Sequence, residues 1–129
     1  MQEPVSARKR GFQGEDIARR YLSHLGYRIL ESNFYSPYGE IDIIAQDGNN
    51  LVFIEVKLRA IHDIDKAIMS IGKSKQKRIV QTALHYIATH NDLEALYSRF
   101  DAIVIFGKKD DPHYEIRHYK DAFYGESDY

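Results

Sequence analysis

The chain contains no cysteine. That absence excludes a disulfide framework, a thiolate metal site and a cysteine nucleophile. No apolar run approaches the ~20 residues an α-helix needs to span a bilayer. The opening MQEPVSARKRGF carries charges with no apolar region behind them, so it does not read as a secretion signal. The expected compartment is the cytoplasm, with no membrane partner. An excess of either charge is also lacking, since the formal net charge is −1. The balance hides an asymmetry. Residues 1–109 carry 16 Lys+Arg and 13 Asp+Glu, whereas residues 110–129 carry 2 and 6. A mildly basic body suits a nucleic-acid partner only where its cations cluster.

What is present is ordinary for a folded chain. The 129 residues are 43% hydrophobic and 29% charged, which fits one domain with its own core. Residues 1–11 are polar, lack periodicity and hold Arg8-Lys9-Arg10, so they read as a flexible basic arm. Residues 12–119 form the domain, and 120–129 an acidic tail. There is no internal repeat.

A helix is expected over 12–25. Ile17, Ala18, Tyr21, Leu22 and Leu25 make one apolar stripe, and Gly26 is a stop. Three strands are expected next, over 27–35, 40–46 and 51–58. Ser36-Pro37-Tyr38-Gly39 separates the first two, and Asp47-Gly48-Asn49-Asn50 reads as a tight hairpin turn. A short helix around 66–71 is weakly indicated. The stripe Ile79, Val80, Ala83, Leu84 and Ile87 predicts a long helix over 74–89. Strands over 99–106 and 113–119 complete the order α-β-β-β-α-β-β, a mixed α/β layer fold.

The hairpin carries the chemistry. A two- or four-residue loop sets Ile44 against Phe53, Asp42 against Glu55 and Glu40 against Lys57. The opposite face holds Ile41, Ile43, Val52, Ile54 and Val56, which must pack on a helix. Four charges thus share one end of a strand pair that is otherwise apolar on both sides. Directly opposed carboxylates destabilise a sheet unless a proton or a cation lies between them. Oxygen ligands with no Cys or His favour Mg²⁺ or Mn²⁺ over zinc. Lys57 points to the same face as Glu55 and can orient a water or neutralise a phosphate. The same residues also suit a solvated sheet end, with Glu40 and Lys57 as a surface ion pair.

Other candidates are weaker alone. Glu15 falls at the border of the first apolar stripe, where it could reach the sheet end from the first helical turn. Taken alone it reads as an acid near a helix N-terminus, paired with Arg19. The second long helix opens Lys73-Ser74-Lys75-Gln76-Lys77-Arg78. Gln76 lies on the apolar stripe and Lys75 at its edge, so Gln76 should have a specific partner. Ala67-x-x-x-x-Gly72-Lys73-Ser74 imitates a phosphate-binding loop, but it follows no strand and its residues are too bulky. No nucleotide cofactor is expected. The six histidines show no ligand spacing and read as structural or surface. The 10 tyrosines could stack on bases, but packing is the plainer use.

A resemblance sharpens this. Arg10-Gly-Phe-Gln-Gly-Glu15-Asp, Asn33-Phe, Gly39-Glu-Ile-Asp42-Ile-Ile, Leu51-Val-Phe-Ile-Glu55-Val-Lys57, Ser74-Lys75-Gln76 and Arg99-Phe-Asp101 occur in order. Together with the closing Lys120-Asp-Ala-Phe123 they closely resemble the YraN-like family of small bacterial predicted nucleases, over residues 10–124. That family looks like a member of the PD-(D/E)xK superfamily, with restriction endonucleases and archaeal Holliday-junction resolvases. The resemblance implies a restriction-endonuclease-like mixed sheet flanked by helices, in a bacterial cytoplasmic protein. It implies that Asp42 and Glu55 ligate Mg²⁺ or Mn²⁺, helped by the Val56 carbonyl, and that Lys57 positions the attacking water. Glu15 would be the helix-borne acid of resolvase-like members. Gln76 and Lys75 would support the site or touch the phosphate, with Glu40, Arg59 and Lys73 as further support. The residue before Asp42 is Ile41 rather than proline. The expected activity is a metal-dependent DNA endonuclease on branched or structured DNA, and symmetry would suit a homodimer for cutting two strands. The alternative is a nucleic-acid-binding adaptor with a vestigial site.

Overall fold

The computed structural model describes residues 7–59, 71–107 and 112–123, with side chains from Gly14 onward. The weakly indicated helix around 66–71 falls almost wholly outside them. Helix α1 spans Ala7–His24, β1 Arg28–Ser36, β2 Gly39–Asp47, β3 Asn50–Arg59 and α2 Lys73–Thr89. A short 3₁₀ turn at Asn91–Leu93 leads to β4, Tyr97–Gly107, and β5, Tyr114–Phe123. The strands form one sheet in the order β1-β2-β3-β4-β5, parallel between β3 and β4 and antiparallel elsewhere. This is the expected mixed α/β sheet with helices on its faces. Two boundaries differ from expectation. The first helix begins at Ala7, so Arg8-Lys9-Arg10 belongs to its opening turns, and the last strand runs on through residues 120–123.

Helix α1 stops where the sequence supplies glycine. Gly26 takes φ +91°, a left-handed conformation that costs other residues a steric penalty. The Tyr27 N–H then reaches back to the Leu22 carbonyl at 3.0 Å and the Gly26 N–H to Ser23 at 3.0 Å. This pair of bonds satisfies two of the end carbonyls. At the β2–β3 turn, Gly48 takes φ +59° and Asp47 pairs with Asn50, leaving a two-residue loop.

The sheet buries both faces. On one, Ala18 and Leu22 of α1 cover Ile43, Ala45, Val52, Ile54, Ile103 and Ile105. On the other, Ile79, Ala83 and Tyr86 of α2 cover Ile44, Leu51, Phe53, Phe100 and Ala102. The continuous apolar runs of β3 and β4 follow from this, since a central parallel pair has no solvent side. The buried stripe of α2 runs through Ile79, Thr82, Ala83 and Tyr86, and Leu84, expected inside, is exposed. Ile41 also departs from expectation. It packs on the α2 side, opposite Phe34, whose ring sits edge-on to Tyr86 at 5.0 Å.

Asp101 is fully buried yet fully employed. Its carboxylate accepts from Arg99 at 2.9 and 3.1 Å, from His118 Nε2 at 2.6 Å and from the Asp121 N–H at 3.1 Å. Arg99 also donates to the Tyr27 hydroxyl at 2.9 Å, and His118 Nδ1 meets the Tyr21 hydroxyl at 3.1 Å. One carboxylate therefore ties α1, the turn after it, β4 and β5. The β4–β5 register shifts between Phe100 and Ala102, which frees the Asp121 N–H for this bond. Burial alone would raise the Asp101 pKa. The bonds from His118, Arg99 and Asp121 outweigh it and hold the group below its ordinary value.

A carboxylate depressed in the folded state stabilises above its unfolded pKa, and that stabilisation is lost as pH falls through the folded value. Asp101→Asn should lower stability by about 3–5 kcal/mol, because it removes the carboxylate that holds Arg99 and His118 inside the fold and leaves Arg99 only the longer pairing with Asp47 at 3.7 Å. Urea midpoints at neutral pH check the loss. At pH 2–3 the gap between variant and wild type should narrow.

Candidate metal and nucleic-acid site

The two strands of the charged hairpin part company. β2 and β3 pair from Asp47 and Asn50 down to Ile43 and Ile54 in the expected register. Beyond that point β2 stays paired with β1, through Ile41–Phe34 and Glu40–Tyr35, while β3 stays paired with β4 as far as Arg59–Phe106. The expected oppositions of Asp42 with Glu55 and Glu40 with Lys57 therefore lie in a fork rather than in a ladder. A continued ladder would oppose two carboxylates directly, an arrangement that destabilises a sheet. Ile41 turns to the α2 side opposite Phe34, next to the point where Asn33 of β1 takes φ +53°.

The Val56 N–H, which a continued ladder would have used, donates to Asp42 Oδ2 at 2.8 Å. Glu15 reaches the fork from the third turn of α1, not from the first turn as expected. Buried Gly14 faces Val56, Leu58 and Ile105 and sets the helix against the end of β3. Arg19 does not hold Glu15; it pairs with Asp16 at 3.7 Å and donates to Ser32 at 3.4 Å. Glu15, Glu40 and Asp42 each bring a carboxylate oxygen within 4.8 Å of the others. Glu15 Oε2 is buried with no hydrogen-bond partner.

Glu55 and Lys57 are nearly buried, at 9% and 8% exposure. Glu55 Oε1 lies 2.5 Å from Lys75 Nζ, so α2 delivers a cation to the fork. Gln76 has the specific partner expected of an inward polar residue, but it is local. Its Nε2 donates to the Ile71 carbonyl at 2.8 Å. Arg59 donates to the Leu58 carbonyl at 2.8 Å, and Lys73 is exposed on the first turn of α2. The tyrosine opposite Glu40 was not read as a site residue. Tyr35 stands opposite Glu40 across β1 and β2 and opposes the upward shift of its pKa, and the only sequence signal is its register across the turn at Ser36-Pro37-Tyr38-Gly39.

The charges perturb one another. Asp42 is raised to about 8, first by burial, then by Glu55, Glu15 and Glu40, against the pull of the Val56 N–H. Glu40 is raised by burial and by Glu15 and Glu55, with the Tyr35 bond and Lys75 opposing. Lys57 is lowered by burial, by Lys75 and by Arg59, although Glu55 and Asp42 favour its charge. Four carboxylates thus face Lys57 and Lys75, with one buried oxygen orphaned. An all-oxygen donor set short of positive charge fits a hard divalent cation.

A family model described as Uncharacterised protein family UPF0102 matches residues 14–105. A UPF0102 protein of Thermodesulfovibrio yellowstonii is 44% identical over 115 residues, covering 88% of this chain and 95% of the relative. One from Syntrophus aciditrophicus is 41% identical over 113 residues, 88% of this chain and 87% of the relative. One from Treponema pallidum is 46% identical over 96 residues, 74% of this chain and 75% of the relative.

A carboxylic acid whose pKa is raised in the folded state stabilises while protonated, and that stabilisation is lost as pH rises toward the folded value. Without divalent cations, the Asp42 contribution should fall between about pH 4 and the raised value of about 8. Asp42→Asn should flatten that fall, and Mg²⁺ or Mn²⁺ should restore the wild type alone. Thermal melts from pH 4.5 to 9, with EDTA or with each metal, check this.

Proposed function

This chain belongs to the UPF0102 family, and from that premise and the geometry of the fork we propose that it is a divalent-metal-dependent endonuclease of DNA, acting in the cytoplasm. The carrying observation is the carboxylate cluster of Glu15, Glu40 and Asp42, with its orphaned Glu15 oxygen, beside Glu55 and Lys57. A scaffold gains nothing from carboxylates that force its central strands apart. No described helix is long and apolar enough to cross a membrane.

Asp42 and Glu55, with the Val56 carbonyl, would hold Mg²⁺ or Mn²⁺, and Glu15 and Glu40 would complete the negative rim. When bound, the ion supplies Lewis-acid polarisation of the phosphoryl oxygen and neutralises charge on the leaving oxygen. Lys57 does the positioning. Its amino group is anchored on β3, and burial and Lys75 weaken its hold on a proton. It can orient a water in line with the phosphorus and share the water's proton as the new P–O bond forms and the bridging P–O bond breaks. Lys75 neutralises Glu55 before substrate arrives and faces the incoming phosphate afterwards. The branched or structured DNA substrate and a homodimer for two-strand cutting belong to this same reading.

One observation favours a second reading. Lys75 already pairs with Glu55, so a vestigial site could persist without metal in a nucleic-acid-binding adaptor. A panel of duplex, single-stranded, flap and four-way-junction DNA separates the two. Cutting should require Mg²⁺ or Mn²⁺, stop with EDTA, and vanish in Asp42→Ala and Glu55→Ala. Lys57→Ala should slow it by about 10²- to 10⁴-fold. Cutting that survives both carboxylate variants would sink the site. Salt-sensitive binding without cutting, unchanged in Lys57→Ala, would establish the adaptor.

A further inference from the structure

The face of the sheet that carries Glu55 and Lys57 continues past the fork onto β4 and β5. The register fixes which side chains share it. Glu55 stands in a row with Ala102 and Tyr119, Lys57 with Val104 and Arg117, and Arg59 with Phe106 and Glu115. Neighbouring strands lie about 4.8 Å apart, so the backbones of Lys57 and Arg117 are about 10 Å apart with Val104 between them. Ala102 belongs to the core under α2, whereas Val104 and Phe106 form a separate small cluster with Tyr119. Among the described residues, the packing of α2 therefore ends at the Ala102 row.

Arginine is an unusual choice opposite Val104. Val104 and Phe106 are fully buried, and an apolar side chain would cover them without a charge to keep wet. Arg117 covers them with its stem and leaves its head at the surface. Its guanidinium lies 5.8 Å over the Phe106 ring, and its Nε donates to Glu115 Oε1 at 3.1 Å. The side chain is still 40% exposed. A guanidinium has five donors, and the Glu115 bond takes one of them. The ring and the carboxylate thus hold in place a planar, permanently charged group whose geometry matches a phosphate. Its setting is cationic. Lys57, Arg59 and Arg117 share this part of the face with Glu115, while Glu55 already answers Lys75. The carboxylates of the fork lie on the β2 side of Lys57, and Arg117 lies on the β5 side.

We propose that Arg117 holds the DNA backbone beside the phosphate that enters the fork, so that the bound strand crosses β3, β4 and β5. The separation of about 10 Å from Lys57 corresponds to a step of about one to three phosphates along a strand. Glu115 holds the guanidinium before DNA arrives and competes for it afterwards. The position of this contact relative to the cut rests on the nuclease reading of the fork. The contact itself needs no metal.

The test measures binding of the full chain to a fluorescein-labelled flap and to a fully paired duplex, in EDTA and in calcium, over a salt series. Arg117→Ala, and Arg117→Gln, which keeps a stem over Val104 and Phe106, should each weaken binding about 5- to 10-fold at about 0.1 M salt. Each should lower the slope of log K against log salt by about 1. Arg117→Lys should keep the slope. Glu115→Gln releases the guanidinium, so it should tighten binding about 2- to 5-fold. Arg20→Ala, which removes an exposed arginine from α1, should change nothing. Methylphosphonates at successive positions then locate the contact. One neutralised phosphate should weaken the wild type and leave Arg117→Gln no weaker than before. In a strand cut with Mg²⁺ or Mn²⁺, that phosphate should lie about one to three positions from the cut. Weakening by Glu115→Gln equal to that of Arg117→Gln would make the pair structural and overturn the proposal. So would methylphosphonates that cost Arg117→Gln as much as the wild type at every position. An Arg117-dependent contact in DNA that is never cut keeps the contact and sinks the nuclease reading. Cutting that vanishes in Asp42→Ala but is indifferent, like binding, to every Arg117 variant keeps the nuclease reading and overturns the contact.

Discussion

Repulsion among Glu15, Glu40, Asp42 and Glu55 is the constraint around which this sheet is arranged. An antiparallel ladder would place Asp42 against Glu55 at about 4.5–5.5 Å between β-carbons. The strands instead part after Ile43 and Ile54, and each keeps its outer neighbour. Parting leaves the Val56 N–H without a ladder partner, and Asp42 accepts from it. The fork is thus a paired solution in which one backbone donor is satisfied and one carboxylate is aimed. It also explains why Lys57, though nearly buried, has charged neighbours on several sides.

Such a fork needs a rigid support, and the neighbouring strand β4 supplies it. There a single buried carboxylate, Asp101, stands opposite Ile54 and is surrounded by donors from Arg99, His118 and the Asp121 backbone. The contrast between Asp101 and Asp42 is one of partner count. Asp101 has more donors than it has oxygens and lies below its ordinary pKa. Asp42 has one donor and three carboxylate neighbours and lies above it. A low-dielectric interior amplifies both outcomes. Stability is concentrated where the charges are matched, and the mismatch is confined to the place where an external cation can relieve it.

Much of this was legible in the sequence, for identifiable reasons. The hairpin register followed from Asp47-Gly48-Asn49-Asn50, because a two-residue turn leaves one pairing of the flanking strands. The cores on both faces followed from apolar runs and helical stripes. The fork did not follow, because pairing rules extend a register until something stops it, and local pattern does not show where β2 and β3 part. Ile41 was placed on the wrong side because strict alternation was carried past the irregular point at Asn33. Tyr86, rather than Leu84, lies in the buried stripe of α2, because it continues the helical spacing of Ile79, Thr82 and Ala83 and packs edge-on to Phe34 and Phe53. The role of Asp101 was visible only as part of a family-like motif. Two of its partners, His118 and the Asp121 N–H, come from the next strand, beyond a turn that local pattern does not resolve.

The meeting of Lys75 with Glu55 is a consequence of topology rather than of local sequence. β3 and β4 are parallel, so the chain must cross from the end of one to the start of the other. The crossover helix runs back against the strands, and its N-terminus sits at the carboxyl end of β3. That end is where Glu55 and Lys57 lie. The Lys73-Ser74-Lys75-Gln76-Lys77-Arg78 opening of α2 is therefore delivered to the acidic fork by strand direction alone, together with the positive end of the helix dipole. An anionic ligand entering the fork meets a cationic helix start on one side and a carboxylate rim on the other. Only a ligand that brings or shares a cation can satisfy both. A phosphodiester with a divalent ion has that combination of charges, and a simple anion or a simple cation does not.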